Sequence, residues 1–352
     1  MAFYQCQNCQ KKWQYPIKEC PDCFLPLKRV GNGKIKVIGV SKVNIPTILH
    51  PKTPYFVLVL EDEQGNRWTH KSIKEYKIGD DFILHPRKEK DAVAVWIAKY
   101  DILEAIEKTV WLIGGVNINS NSKILILPTL IAPKHPHFAE NTSPQFLEAV
   151  LKYLLQNKVK PENIKVASQS FNDFSIEACA QKSQLLKVCV KNKITPLDLA
   201  KTNYIKKEKE GIVFELSEEV FNNDLIINLP ILKLDPKMKI RGACENVLKF
   251  LKKDSYFSLQ YLYEYQDLLI KIQKVLPQYL TLAEGIKIQK TTGFTTFLGL
   301  VLAGFNPVNI DRVFAEITMT KGLPEYLKNI KIEDIPVFGR QISELQYDVG
   351  KF

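Results

Sequence analysis

The tetrapeptide CQNC at residues 6–9, matched by CPDC at residues 20–23, is the most specific chemical signal in this chain of 352 residues. A C-x-x-C pair forms a tight turn that points two thiolates at one position, and two such turns complete a tetrahedral metal site. The predicted ligands are Cys6, Cys9, Cys20 and Cys23. Zinc is the expected ion, because a closed four-thiolate site leaves no open position for chemistry. Rubredoxin-type iron uses the same ligands, and two disulfides are the alternative without metal.

Composition is that of an ordinary globular protein, since 45% of the residues are hydrophobic and 25% are charged. The length allows two or three domains. We expect no secretory signal and no membrane span, because the longest apolar run, residues 296–305, is only about half a span. Cys179, Cys189 and Cys244 stand alone in apolar patterns. They are interpreted as buried thiols of a reducing compartment, which predicts a cytoplasmic protein.

The net charge of +11 suits an anionic partner, such as nucleic acid or a nucleotide-type phosphate. It also suits a simple lysine-rich surface in contact with water. Lysines alternate with acids, as in the sequence KKEKE at residues 206–210. That mixture favours the solvated surface.

Short runs of β type follow the cysteines, separated by polar turns. They cover residues 33–43, 55–60, 67–70, 82–85 and 92–98. Five such strands predict a small closed barrel of the OB type. The predicted domains are a zinc ribbon (1–27), an OB-fold β-barrel (28–99), a linker (100–109) and an α/β domain (110–352).

Three further details of the first 98 residues accompany the cysteine spacing. They are Gly31-Asn32-Gly33 before the first strand, Pro54-Tyr55 at the second, and Ile78-Gly79-Asp80 before the fourth. Together they resemble the zinc-ribbon/OB-fold family associated with acyl-CoA, called domain of unknown function 35. The resemblance implies a partner that is a thiolase-like or ketoacyl-synthase-like enzyme, or a surface that binds acyl-CoA. From the residues alone, a nucleic-acid-binding OB fold fits as well.

Strand and helix patterns alternate beyond residue 110. Predicted strands at 123–127, 163–167, 186–190, 225–229, 279–282 and 298–302 are separated by helical patterns, among them 175–184, 243–251 and 259–272. Ser143 or Thr142 caps one helix before Pro144, and Asn306 precedes another at Pro307. This alternation predicts an α/β layered domain with a largely parallel sheet.

Four segments of this domain resemble the family called domain of unknown function 362. The segments are ILPTL at 126–130, NTSP at 141–144, INLPILK at 227–233 with Gly242 and Asn246, and EGI at 284–286 with AG at 303–304 and NID at 309–311. The sequence departs from the family pattern at five positions. Leu127 replaces a lysine, Thr129 an asparagine, Asp235 a histidine, Glu245 a lysine and Glu284 an aspartate. These departures indicate a site that is either retired or adapted to a different ligand.

The residues that survive are the candidates for binding a ligand. They are Lys233, Lys237, Lys239, Asn246, Glu284 and Asp311, with Arg241 among them. The functional interpretation places Lys233 and its neighbours over a phosphate or carboxylate at the carboxyl ends of the strands. The alternative makes them solvated loop charges, with Asp311 merely favoured by the dipole of its helix. No catalytic residue is predicted.

The leading hypothesis is a non-catalytic accessory protein. Its ribbon and barrel would bind acyl-CoA or dock on a thiolase-like or ketoacyl-synthase-like enzyme, with the α/β domain as scaffold or ligand sensor. One alternative is an enzyme that acts on an anionic small molecule in the α/β domain, with Lys233 and Asn246 binding and Glu284 or Asp311 as acid/base. A second alternative is a nucleic-acid-binding protein.

Overall fold

The computed structural model describes residues 3–13, 19–30, 33–46, 53–72, 74–82, 89–98, 101–290 and 294–348. The chain divides into two compact units, Met1–Pro86 and Arg87–Phe352. Within the described ranges, no helix combines the length and the apolar character that a membrane span requires.

The first unit contains two small antiparallel sheets, each with three described strands. One has the order β2-β1-β3 and the other the order β4-β5-β6. The strands are β1 (Phe3–Cys6), β2 (Lys12–Trp13), β3 (Leu27–Val30), β4 (Ile35–Val43), β5 (Tyr55–Asp62) and β6 (Arg67–Ser72).

Alternating side chains of the second sheet form the core of this unit. Val37, Leu58 and Leu60 are fully buried, and Trp68 is nearly so. The ring of Phe3, from the sheet that carries the first cysteine, packs edge-on against Trp68 at 5.6 Å between centroids. An apolar contact therefore joins the two small sheets.

The predicted five-stranded barrel differs from the described structure. Its first three strands are β4, β5 and β6. Residues 83–85 of the fourth lie outside the described residues, as do Gly31 and Asn32. The fifth strand, predicted at 92–98, is present as β7 (Val93–Ile97), but its assignment to the barrel is wrong, because it pairs within the second unit. The sequence AVAVWIA is apolar at every position, which is typical of a strand covered on both faces rather than one in a half-exposed barrel.

The second unit combines a mixed sheet with helices. Its further strands are β8 (Ile124–Pro128), β9 (Ile164–Ser168), β10 (Leu197–Asp198), β11 (Tyr204–Lys209), β12 (Ile212–Ser217), β13 (Leu225–Leu229), β14 (Ile231–Asp235), β15 (Lys239–Arg241), β16 (Leu280–Gln289), β17 (Thr295–Gly304) and β18 (Val337–Gly339). The α-helices are α1 (Ile102–Leu112), α2 (Pro144–Gln156), α3 (Ile176–Lys182), α4 (Leu185–Lys191), α5 (Ala243–Asn246), α6 (Lys253–Leu262), α7 (Tyr265–Lys271), α8 (Pro307–Ile317), α9 (Glu325–Lys328) and α10 (Ile342–Leu345).

The described strands of the main sheet follow the order β10-β9-β8-β13-β16-β17-β7-β18. From β10 to β16 all neighbours are parallel, whereas β17 is antiparallel to both β16 and β7. The short strand β14 pairs with β16 beyond the end of β13 and with β15 on its other side. The sheet is therefore mixed, with a parallel half whose carboxyl ends lie together.

Both faces of the parallel half are covered, as β8 shows most clearly. Ile124 and Ile126 belong to the apolar cluster that contains α1 to α4, and Leu125 and Leu127 belong to the cluster that contains α5 to α7. All four side chains are fully buried. A strand in this position reads as a continuous apolar run, which is why its sequence predicted it well.

One prediction about this unit is wrong. Residues 186–190, predicted as a strand, belong to helix α4, because Leu185, Val188 and Cys189 are buried at helical spacing. The segment 100–109, which the domain prediction placed as a linker and whose pattern is helical, lies mostly in helix α1, and Ile106 of this helix is fully buried. Together with β7, this helix moves the boundary from residue 99 to the Pro86–Arg87 junction.

Candidate functional site

The two C-x-x-C turns of the first unit have the same backbone geometry. The Gln10 N–H donates to the Cys6 carbonyl at 3.1 Å, and the Phe24 N–H donates to the Cys20 carbonyl at 2.9 Å. Gln10 and Phe24 both adopt a left-handed conformation, with φ of 58° and 56°. Each turn thus presents its two cysteines in the same way.

The four sulfur atoms meet the requirements of a metal centre. The Sγ atoms of Cys6, Cys9, Cys20 and Cys23 lie within 4.8 Å of one another. The Cys9 and Cys20 sulfurs are 3.7 Å apart, close to the edge of about 3.8 Å that a tetrahedron with Zn–S bonds of about 2.3 Å would have. Asn8 Nδ2 also donates to Cys23 Sγ at 3.4 Å, as expected for a partner of a ligating thiolate. The donor set fits zinc or iron.

A network of buried amides and hydroxyls lies at the carboxyl ends of β8 and β13 in the second unit. Asn246 Nδ2 donates to the Leu127 carbonyl and to Asn228 Oδ1, both at 2.9 Å. Thr129 Oγ1 donates to Asn246 Oδ1 at 2.9 Å and accepts from the Ile231 N–H at 3.2 Å. The predicted candidate Asn246 therefore joins two strand ends, and the departure at Thr129 has a hydrogen-bonding role here.

Lys249 lies in the short 3₁₀ turn Val247–Phe250 beside this network and is 7% exposed. Its Nζ donates to the Leu130 carbonyl at 2.6 Å and to the Gln169 carbonyl at 3.0 Å. Burial, together with the nearby charge of Lys233, lowers the pKa of Lys249 to about 8. Its ammonium group is thus held by neutral carbonyls.

Lys233 on β14 is the second buried cation, with 6% exposure. Its Nζ donates to the Glu140 carbonyl at 3.0 Å. Burial lowers the pKa of Lys233 to about 8, although the carboxylate of Glu245 partly opposes this effect. Lys249 binds the start and Lys233 the end of the segment 130–140, so both ammonium groups border one loop.

Arg241 explains two of the departures from the family pattern. Its guanidinium forms an ion pair with Asp235 at 3.0 Å and another with Glu245 at 3.0 Å. Tyr265 donates its hydroxyl to the same Glu245 oxygen at 3.1 Å. The two acids that replace cations in the pattern therefore neutralise a third cation at the edge of the lysine site.

Glu284 on β16 is 2% exposed and accepts a hydrogen bond from the Ser143 N–H at 2.8 Å. Ser143 is the N-cap of α2, so the carboxylate faces the amino end of a helix. Burial raises the pKa of Glu284 to about 7, although the hydrogen bonds from Ser143 favour the charged form. Glu284 and Lys233 hold opposite ends of the segment 140–143.

The remaining candidates are placed elsewhere. Asp311 is fully buried and accepts from the N–H groups of Ala243 and Cys244 and from the Tyr326 hydroxyl. Burial raises the pKa of Asp311 to about 6 against these hydrogen bonds. Its contacts tie α8 to the start of α5. Lys237 and Lys239 lie exposed around the β14–β15 turn, away from the buried network.

Lys249 was missed by the sequence analysis. It stands in the sequence VLKFL, where the four neighbouring side chains are buried. A single lysine inside an apolar run could have predicted a buried ammonium group. When the neighbours on both sides of a lysine in the sequence are buried, its own side chain has little access to water. The candidates that were predicted had all been chosen by resemblance, which did not include this position.

A protein-family model described as "Domain of unknown function (DUF362)" matches residues 124–316, more than half of the chain. The resemblance predicted for the C-terminal part is thus confirmed. The sequence matches no curated protein.

Among the solved structures that are similar to parts of the chain are the following three. The first, "Ltp2-ChsH2(DUF35) aldolase", is 22% identical with a TM-score of 0.20, and the match covers 23% of this chain and 68% of that one. It lies in the N-terminal part, where the resemblance to that family was predicted. The lactate racemase apoprotein from Thermoanaerobacterium thermosaccharolyticum is 12% identical with a TM-score of 0.36, with coverage of 65% and 57%. A Thermotoga maritima protein is 11% identical with a TM-score of 0.32, with coverage of 53% and 50%. The chain thus spans about half the length of the last two, 57% of one and 50% of the other.

We predict that Cys9→Ser removes the metal and unfolds the ribbon, because three thiolates hold an ion much more weakly than four and this short segment has little core of its own. Mass spectrometry of metal content should find about one ion per chain in the parent protein and little in the variant. The same measurement distinguishes zinc from iron. Gln7→Ser, an exposed change inside the same turn, is the control and should keep the metal. Equal metal content in Cys9→Ser and the parent would contradict the assignment.

Glu284 should make stability depend on pH. Its pKa is raised from 4.5 to about 7 in the folded protein, so the folded state binds more protons than the unfolded state between these values. Stability should therefore fall as pH rises from about 4.5 to 7, by up to about 3 kcal/mol. Glu284→Gln, which keeps an oxygen for the Ser143 N–H, should flatten this fall in urea-unfolding curves. It should also be more stable than the parent protein at pH 8.

The control for this experiment is Glu177→Gln on the exposed side of α3, which should leave the pH dependence as it is in the parent. Parallel curves for Glu284→Gln and the parent protein would show that Glu284 does not carry the effect.

Proposed function

We propose that this chain, which belongs to the DUF362 family, binds a small anionic molecule between Lys233 and Lys249 of its second unit. The observation that carries the proposal is the pair of buried ammonium groups at the carboxyl ends of parallel strands, where open α/β sheets bind ligands. The zinc-type ribbon of the first unit is structural in this proposal. The free thiols suit the reducing cytoplasm.

Hydrogen-bond capacity supports an anion at this position. An ammonium group has three donors. Among the described residues, Lys233 Nζ donates to one carbonyl and Lys249 Nζ to two. Remaining donors are thus available on two cations that hold the two ends of the same segment, 130–140. A carboxylate or phosphate would accept from both and would offset the cost of burying two like charges.

The nearby acid does not serve as that anion. Glu245 attracts both lysines electrostatically, but its Oε1 already accepts from Arg241 and from Tyr265. Its position at the edge fits a role in balancing Arg241. The departures from the family pattern therefore favour an altered ligand over a retired site.

An enzymatic role for the same site is consistent with its acid–base groups. A lysine whose pKa is about 8 and a glutamate whose pKa is about 7 both exchange protons near neutral pH. Lys233 and Glu284 hold the same short segment, 140–143. We propose Glu284 as the acid/base if the bound anion is a substrate.

Lys233→Gln should weaken phosphate binding at pH 7 at least about tenfold, because it removes a charge-assisted hydrogen bond of about 1.5–3 kcal/mol. Titration calorimetry with inorganic phosphate measures this directly. For the parent protein, affinity should fall as pH rises through about 8, since the lysines lose their charge there. Lys237→Gln in the exposed turn is the matched control and should bind like the parent. Unchanged affinity in Lys233→Gln would remove the proposal's main support.

A second candidate function, docking of the ribbon on a thiolase-like or ketoacyl-synthase-like enzyme, is favoured by Phe24. This residue follows the fourth cysteine, is 77% exposed and has a left-handed backbone with φ of 56°. A bulky residue there costs conformational energy and also exposes an aromatic ring to water. Neighbouring Leu25 is 46% exposed. In an accessory role, the exposed side chains of Phe24 and Leu25 would contact the partner, which is acyl-CoA or an enzyme.

Phe24→Gly tests the docking role without disturbing the fold, since glycine adopts the left-handed conformation at no cost. Tagged protein purified from its native host should bring a stoichiometric thiolase-like or ketoacyl-synthase-like enzyme, and Phe24→Gly should lose it while keeping its metal. The matched control is Gln10→Gly, which relieves the same backbone conformation on the other turn. Retention of the enzyme by Phe24→Gly, or purification of the parent protein alone, would argue against this function.

A further inference from the structure

We infer that the anion bound by Lys233 and Lys249 carries an apolar tail of about the size of an aromatic ring, which lies on the aromatic face of helix α6. This aromatic face consists of Tyr256, Phe257 and Tyr261 of the helix together with Phe171, which stacks on Tyr256 from the segment after β9. The inference rests on the proposed function and narrows its ligand to an amphipathic anion, such as an arylalkyl carboxylate.

The aromatic face begins where the lysine site ends. Phe171 is two residues beyond Gln169, whose carbonyl accepts from Lys249. Its ring stacks on Tyr256 with 3.8 Å between centroids and 10° between planes. Burial raises the pKa of Tyr256 to about 12, and the negative charge of Glu245 adds to this effect. A path of contacting rings, Phe171, Tyr256 and Phe257, therefore begins two residues from the carbonyl that accepts from Lys249.

Helix α6 leaves the outer part of this path without a covering element among the described residues. Phe257 is 48% exposed, Tyr261 is 90% exposed, and the following Leu262 is 67% exposed. Phe257 and Tyr261 are four residues apart and so share one side of the helix. Phe257 also contacts the Phe171 ring edge-on at 6.4 Å. Single exposed apolar residues are ordinary, but a group that adjoins a polar site is typical of a binding surface.

The depth of the cations selects a small ligand over a protein partner. Both lysines are less than 8% exposed, so only a narrow head group reaches their ammonium groups. The half-buried Arg241 and Glu245 at the edge would face the junction between head and tail. A molecule with a compact anionic head and a flat apolar tail matches the charge at one end and the aromatic face at the other.

The test compares acetate with phenylacetate, which share a head group and differ by the ring. Titration calorimetry on the full chain should find phenylacetate bound about tenfold more tightly than acetate, since a buried ring contributes to affinity in this range. The double variant Phe257→Ser/Tyr261→Ser should lose most of this preference and should bind acetate like the parent. Lys233→Gln should weaken the binding of both acetate and phenylacetate.

Controls separate this inference from the proposed function. Phe297→Ser removes an aromatic ring that is 68% exposed on β17, and it should keep the preference for phenylacetate. Equal affinity of the parent for both acids, with acetate still dependent on Lys233, would overturn the tail while leaving the anion site in place. If the double variant kept the full preference for phenylacetate over acetate, this result would also overturn the inferred position of the tail. The aromatic face would then be available to a protein partner. Failure of both acids to bind would overturn the inference together with the anion site.

Discussion

The side-chain amide of Asn246 is the interaction on which the second unit's site depends. It joins the carbonyl at the end of β8 to Asn228 at the end of β13 and accepts from Thr129 between them. Buried backbone groups at strand ends need such partners, because no water reaches them. With these ends fixed, the carbonyls of the next loop are held in position for two lysines. The apolar layers on both faces then exclude water from the same region.

The two units solve the same stability problem with different means. The second has long strands covered on both faces by helices, and its core is large enough to bury lysine, glutamate and aspartate side chains within it. The ribbon of the first has very short strands, two of which flank cysteine turns. Bonds to a metal ion replace the missing core in such small modules. The four-cysteine site therefore stabilises the fold of the first unit. The lysine site of the second unit instead lowers stability, because its charged groups are buried.

Sequence patterns predicted the elements whose own residues show how they are buried or capped. Strand β8, the helix that begins after Ser143 and the four cysteines were all found, because each carries a local signal. Strand β7 was assigned to the wrong sheet, since an apolar run shows that a strand is buried without showing which partner it has. Helix α4 was taken for a strand because five of the six residues from Leu185 to Val190 are apolar, and this density hides their helical spacing.

The site was harder to predict for a physical reason. Whether Lys233, Lys237 or Lys239 is buried depends on how β14 and β15 turn around Pro236, and alternation alone does not distinguish the three. Lys249 lies more than a hundred residues along the chain from the loop at Leu130 that it holds. The pairing of Asp235 and Glu245 with one arginine is likewise a property of three dimensions. Resemblance identified the segments, and geometry assigned the roles.

The position of β7 between β17 and β18 in the second unit's sheet has a consequence for synthesis of the chain. Val93–Ile97 leaves the ribosome about 200 residues before its partner Thr295–Gly304, and it pairs with Val337–Gly339 later still. At typical elongation rates of about 5–20 residues per second, this apolar strand waits roughly 10–40 s for a neighbour. During that interval β7 is an unpaired apolar segment of the nascent chain and is prone to aggregation. Folding in the cell therefore requires that β7 is kept from contacting other apolar surfaces until β17 and β18 have been synthesised.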